Sequence, residues 1–290
     1  MTTTLTAPGP PSVSPGGRTA VRAALVIAAT AILAVTVALL SAAAWGLSSL
    51  RLVTDHQNLP AGMRTLTVDT AGSPTAVRIV TDRDATEPRI DLRMVTTQRD
   101  DRDELVVTTS GDDTQIRVDA QPGMLSFGDP GEITITVPPD LGRRLAVTVR
   151  QETGLLIADA DLDALTATNT DGAVLLSGTV RRIEVRGRDS EVHARRAVSV
   201  TESFIAETRD GDVQMRFAEV PPQIEASTRD GDIDIALPEP GPYLVRAQAG
   251  DGSARVRVPQ TTDAARASAT VTATTRDGAI SVEPLRVIDR

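Results

Sequence analysis

Asp210 and Asp212 flank Gly211, and Asp230 and Asp232 repeat the arrangement around Gly231 twenty residues later. Two carboxylates one residue apart begin a calcium ligand set, because hard cations gather several oxygens at once. An EF-hand loop, however, continues with further oxygen ligands and a Glu at its twelfth position, and a calcium β-roll repeats Gly-Gly-x-Gly-x-Asp. Neither pattern follows here, so the four aspartates are expected to be solvated corners. Two acids about 5 to 10 Å apart could also cleave a glycosidic bond. Any stacked column of aspartates offers that distance, which singles out no pair.

The other chemistry-bearing residues are few. His193 follows Val192, which the pattern below turns inward, so the imidazole is expected to face solvent; His56 falls in a linker. No nucleophile elbow of the form G-x-S-x-G occurs. Met215 and Phe204 stand at core positions and need no cofactor. No catalytic, cofactor-binding or metal residue is assigned. A net charge of -9 opposes phosphate backbones, so nucleic acid is not an expected partner. All 30 basic residues are Arg, aromatics make up 2% and cysteine is absent. Aromatic platforms for sugars, disulfides and thiolate metal sites are correspondingly scarce or impossible.

The elements that hold these residues are strands. From residue 64 onward, "RTLTVDT", "TAVRIVTD", "RIDLRMVTT", "ELVVTTS", "TQIRVDA" and "EITITVP" alternate apolar with polar residues, the period of a half-buried strand. From about 147 to 284 the alternation becomes a repeat. Gly154, Gly172, Ser190, Gly211, Gly231, Gly252 and Gly278 form one column with spacings of 18, 18, 21, 20, 21 and 26 residues. Asp precedes that column in six of the seven copies, and the Asp-Gly pair recurs in five.

The positions seven and five before the column are apolar in every copy, from Val147 and Val149 to Val271 and Ala273, as are those two and four after it, from Leu156 and Ala158 to Ile280 and Val282. Small polar residues recur three before it, at Gln151, Asn169, Thr208, Thr228 and Thr275. Each unit therefore reads as strand, Asp-Gly turn and strand, with Gly expected for a turn at positive φ. Ile157 and Leu175 face outward in early copies, where the segment 60–140 is expected to cover them or a partner to dock.

The fold class is all-β. Two architectures satisfy the columns: a repetitive, parallel β-helix-like β-solenoid in which like residues stack on like, and an antiparallel β-hairpin meander. Matched columns of Ala and Thr favour the solenoid, and no amphipathic helix is present to cover a meander's apolar face.

Ahead of the repeats, Ala23 to Leu50 carries no charged residue for 28 positions between Arg22 and Arg51. About 20 apolar residues suffice to cross a bilayer, so a transmembrane helix over 23–50 is expected, with a cleavable signal ending near Ser41–Trp45 as the alternative. The chain then divides into a disordered cytoplasmic tail at 1–22, the span, a linker at 51–63 and an exported β-repeat domain at 64–290. Arg18, Arg22 and the amino terminus precede the span, which places the tail inside. The lipid bilayer is the expected partner through Ala23 to Leu50, the location is the cell membrane, and the bulk of the chain is extracytoplasmic.

"ITITVPPD" at Ile133 to Asp140, "LAVTVRQETGLLIADA" at Leu145 to Ala160, and the serial "NTDGAVLL", "TRDGDVQMRF" and "TRDGDIDIAL" resemble the DUF4097 family of adhesin-like, β-strand-repeat proteins. The resemblance covers roughly residues 60 to 285 and specifies a rung, not an active site. It implies a bacterial, β-helical, often membrane-anchored envelope protein, in some cases beside envelope-stress systems. A structural or interaction role with an envelope protein or glycan partner, without enzymatic activity or cofactor, is the expected function. The alternative is a carbohydrate-active enzyme acting on envelope glycans.

Overall fold

The computed structural model describes residues 51–70, 74–96, 105–118 and 131–286, with six helical positions between 30 and 37. The chain divides into two compact units, Met1–Arg51 and Leu52–Arg290. In the first, Thr36 Oγ1 donates to the Ile32 carbonyl at 2.8 Å, the reach of one α-helical turn. Most of the apolar run at 23–50, and the tail before it, lies outside the described residues. No helix among the described residues is long and apolar enough to cross a membrane.

The second unit is built of strands. It opens with β1, Arg51–Asn58, where a linker was expected. A first rung joins β2, Thr65–Asp69, to β3, Thr75–Thr81; after β4, Arg89–Thr96, and β5, Leu105–Ser110, a second joins β6, Asp113–Val118, to β7, Gly131–Val137. Three long strands each make a whole rung: β8, Ala146–Asp159, β9, Leu162–Ser177, and β10, Thr179–Ala194. Four more rungs are strand pairs: β11, Val198–Glu207, with β12, Val213–Glu219; β13, Gln223–Ser227, with β14, Ile233–Leu237; β15, Tyr243–Ala249, with β16, Ala254–Val256; and β17, Ala269–Thr275, with β18, Ile280–Pro284.

The rungs stack in parallel, and the columns read from the sequence are the observed register. Val147 pairs with Leu165, Leu165 with Ile183, Ile183 with Phe204 and Phe204 with Ile224 on the first face. Beyond the corner, Val192 pairs with Val213, Val213 with Ile233 and Ile233 with Ile280 on the second. A meander of antiparallel hairpins does not form. Antiparallel pairing joins β4 to β7 and β5 to β6 at one end of the stack, and β1 pairs with β4.

Two features depart from a serial stack of seven. The stretch before residue 140 contributes two further rungs, because β2 and β3 pair with β8 on one side and with β6 and β7 on the other. At the opposite end, β17 and β18 lie between β13/β14 and β15/β16. The sixth repeat is thus the end of the stack and the seventh is inserted beneath it. Residues 257–268, longer than the short turns between β8, β9 and β10, give the chain the length to pass the end rung and re-enter.

One apolar core runs between the faces. Its aliphatic columns are buried in the interior rungs, and Phe204 meets Phe217 edge to face at 5.4 Å between ring centroids. Val245, Ala247 and Val256 are half-buried and Ala254 is exposed, as the end of a stack requires.

Candidate functional site

The repeated corner is where the sequence concentrates carboxylates, and its geometry begins with the glycine. Gly154 and Gly172 have φ of 151° and 138°, but Gly211, Gly231 and Gly278 do not need positive φ. A Cβ on Gly211 would lie 2.2 Å from the Ser190 carbonyl oxygen, on Gly231 2.4 Å from that of Gly211, and on Gly278 2.1 Å from that of Gly231. Glycine is there because neighbouring rungs approach about 4.8 Å apart and the corner carbonyl points into the next corner. For these three glycines the expected turn requirement is corrected to a close-approach requirement, whereas Gly154 and Gly172 have the expected positive φ.

The polar residue three before the glycine serves that same carbonyl. Thr228 Oγ1 donates to the Gly211 carbonyl at 3.1 Å, Thr208 Oγ1 to that of Ser190 at 3.1 Å and Thr275 Oγ1 to that of Gly231 at 3.0 Å. Asn169 Nδ2 reaches Gly154 at 3.3 Å and Gln151 Nε2 reaches Thr75 at 2.8 Å. Buried carbonyls that the bend leaves out of the ladder gain partners, which offsets the cost of burying them.

The second aspartate of each "DGD" is also structural. Asp212 Oδ1 accepts the backbone N–H of Asp232 at 2.8 Å, and Asp232 Oδ1 accepts that of Ala279 at 2.7 Å. Asp210 and Asp230 are exposed. Asp234 lies near Asp232, Asp212 and Glu283; partial burial first, and then those like charges, push its carboxyl above the ordinary range. No group of three or more potential ligands capable of holding a metal occurs among the described residues.

Rung five departs from the column and shows how the corner is packed. Ser190 replaces glycine and is fully buried, while the position three before it is Gly187. A Cβ on Gly187 would lie 2.5 Å from the Ser190 Cβ. The serine side chain therefore occupies the space that the threonine or asparagine fills in other rungs. The signal was present in the sequence as two exchanged small residues three apart.

The outer faces are laced by ion pairs across rungs. Arg181 bridges Asp163, at 2.7 Å, and Glu202, which also pairs with Arg182. The Arg181 guanidinium holds Asp163 below its usual range, and Arg182 first, with Arg181, does the same for Glu202. His193 lies half-buried with Nε2 3.1 Å from Glu191 Oε2, and His56 is exposed on β1. Met215 and Phe204 are buried core residues. Ile157 is buried and Leu175 half-buried on the outer side of the second face. A groove of about 420 Å³ beside the helical turn Pro139–Gly142 is lined by Arg83, Pro88, Pro138 and Arg144. Asp140 is its one carboxylate and pairs with Arg143 at 2.5 Å, so the groove does not present two facing acids.

Residues 157–283 match the Toastrack DUF4097 family model. The resemblance carried by the serial Asp-Gly units is borne out over that stretch. Among solved structures, a "putative adhesin" from Parabacteroides merdae is similar at 9% identity and a TM-score of 0.48, over 81% of this chain and 97% of that one. A "putative adhesin" from Bacteroides fragilis gives 10% identity and 0.41 over 81% and 97%. A "putative cell adhesion protein" from Clostridium sporogenes gives 11% and 0.35 over 81% and 100%. No curated protein matches the chain. The Toastrack match takes in the corners from Gly172 to Gly278 and so covers the whole aspartate series described above.

Proposed function

We propose that the chain is a single-pass membrane protein, anchored through Ala23–Leu50, that displays its β-solenoid outside the cytoplasm as an adhesin-like interaction scaffold. The observation that carries the interaction role is the use made of the corner side chains. The threonines and second aspartates are bonded to neighbouring rungs, so the residues best suited to chemistry hold the stack together. What remains available to a partner is extended surface: the outer faces and the ends of the ladders. The Toastrack match supports the solenoid half of this reading, and the uncharged 28-residue run supports the anchor.

Two measurements test it. Protease added outside intact cells is expected to degrade residues 64–290 while sparing the tail; protection of the repeats until the cells are lysed would overturn the exported placement. Affinity capture of the anchored chain from crosslinked envelopes is expected to return a defined envelope protein or glycan. Recovery of the chain alone would remove the support for an interaction role.

A further inference from the structure

Among the described residues, the end rung, β15 with β16, leaves an edge open. β15 has β17 on one side, and on the other Tyr243 begins a pairing that stops: its N–H donates to the Pro259 carbonyl at 2.8 Å and its carbonyl accepts the Thr261 N–H at 2.9 Å. After this single parallel bridge to Gln260, the chain turns away, with the Asp263 N–H donating to Thr261 Oγ1 at 3.1 Å. Residues two apart on a strand direct their backbone groups to the same edge. Val245, Ala247 and Ala249 therefore aim their N–H and C=O groups outward, in line with those of Tyr243. Their side chains continue the core columns yet are only half-buried.

The charges beside this edge are incomplete in one direction. Several outward arginines meet carboxylates on the adjoining rung, Arg181 with Asp163, Arg186 with Glu207 and Arg257 with Glu283, whereas Arg150 and Arg216 enter no ion pair among the described residues. Arg246 has Thr272 as its inner ladder partner and Arg255 has Ser281. Both arginines are exposed, and neither enters an ion pair among the described residues. The position from which each could receive a carboxylate is the next rung outward.

We propose that the free edge of β15 is a strand-addition site for a partner segment, extended and acidic, whose outward carboxylates alternate with small apolar residues. Backbone groups of Val245, Ala247 and Ala249 would supply the ladder, the half-buried end of the core would receive the apolar side chains, and Arg246 would select for acid. This goes beyond the scaffold role and does not depend on it, because the edge is open wherever the chain resides.

The test uses the full-length chain and a synthetic seven-residue peptide alternating glutamate with valine. Saturating peptide is expected to slow amide hydrogen exchange at Val245, Ala247 and Ala249 at least tenfold. Arg246→Glu is expected to weaken binding at least tenfold and to shift preference to the lysine–valine counterpart. Ala247→Pro removes an outward N–H without touching the bonds to β17, and is expected to abolish binding with little change in melting temperature. If that variant does not fold, the charge reversal decides alone. Absence of protection at the three amides, or indifference to the charge reversal, overturns the proposal. So does protection that appears without peptide as protein concentration rises, which would make a second copy the occupant.

Discussion

Ser190 and Gly187 show how tightly one corner is specified. In five of the six copies where glycine holds the column, a longer polar side chain stands three residues earlier, Ala249 before Gly252 being the exception; where serine holds it, that side chain is reduced to hydrogen. Gly187→Thr is expected to destabilise the protein by roughly 2 kcal/mol or more through overpacking, because its Cβ would meet that of Ser190. Adding Ser190→Gly restores the arrangement of the neighbouring rungs. Denaturant unfolding of the double-mutant cycle is expected to show a favourable coupling of about 1 kcal/mol or more. Additive penalties would mean that the two residues do not share the space. Asp234 makes a second, opposite kind of case. Its raised folded pKa means that the native state binds its proton more tightly than the unfolded chain, so stability falls as pH rises from the ordinary carboxylate range through the folded value. Asp234→Asn removes that loss: its melting temperature is expected to exceed the parent's at pH 7, with the difference closing toward pH 3. Asp163 and Glu202, lowered by their arginines, act with the other sign, contributing stability at neutral pH that disappears as pH falls through their lowered values.

At the scale of the strand, what the sequence made legible followed from axial stacking. A column of identical neighbours selects the same residue type again and again, so Val147, Leu165, Ile183 and Phe204 could be aligned without coordinates, and the pairings reproduce that alignment. The reason for the glycines was less legible, because a residue at positive φ and a residue pressed against a carbonyl both exclude a Cβ. The insertion of β17/β18 was hidden for a different reason: parallel stacking has no local marker of which rung lies above. Its traces were the long spacing before Gly278 and the weak core residue Ala254. This order has a measurable consequence. Since β15/β16 pair with β17/β18 and not with β13/β14, ending the chain after Ala267 is expected to release two rungs at once. Hydrogen exchange would then show protection lost over 243–256 while 223–237 keeps its own. Persistence of protection over 243–256 would show that the sixth unit can move down into the vacated place.

Over the whole second unit, the two ends of the stack are arranged alike. β2/β3 lie inside β6/β7 at one end, as β17/β18 lie inside β15/β16 at the other. This was invisible in the alternation before residue 140, where rungs lack the Asp-Gly corner and β4 and β5 intervene. Only the middle, from β8 to β14, follows chain order rung by rung. A unit copied within the middle meets matching ladders above and below. The twin stretches "TRDGDVQMRF" and "TRDGDIDIAL" occupy that middle. A repeat inserted there would lengthen the stack between its ends and carry the two terminal arrangements apart unchanged.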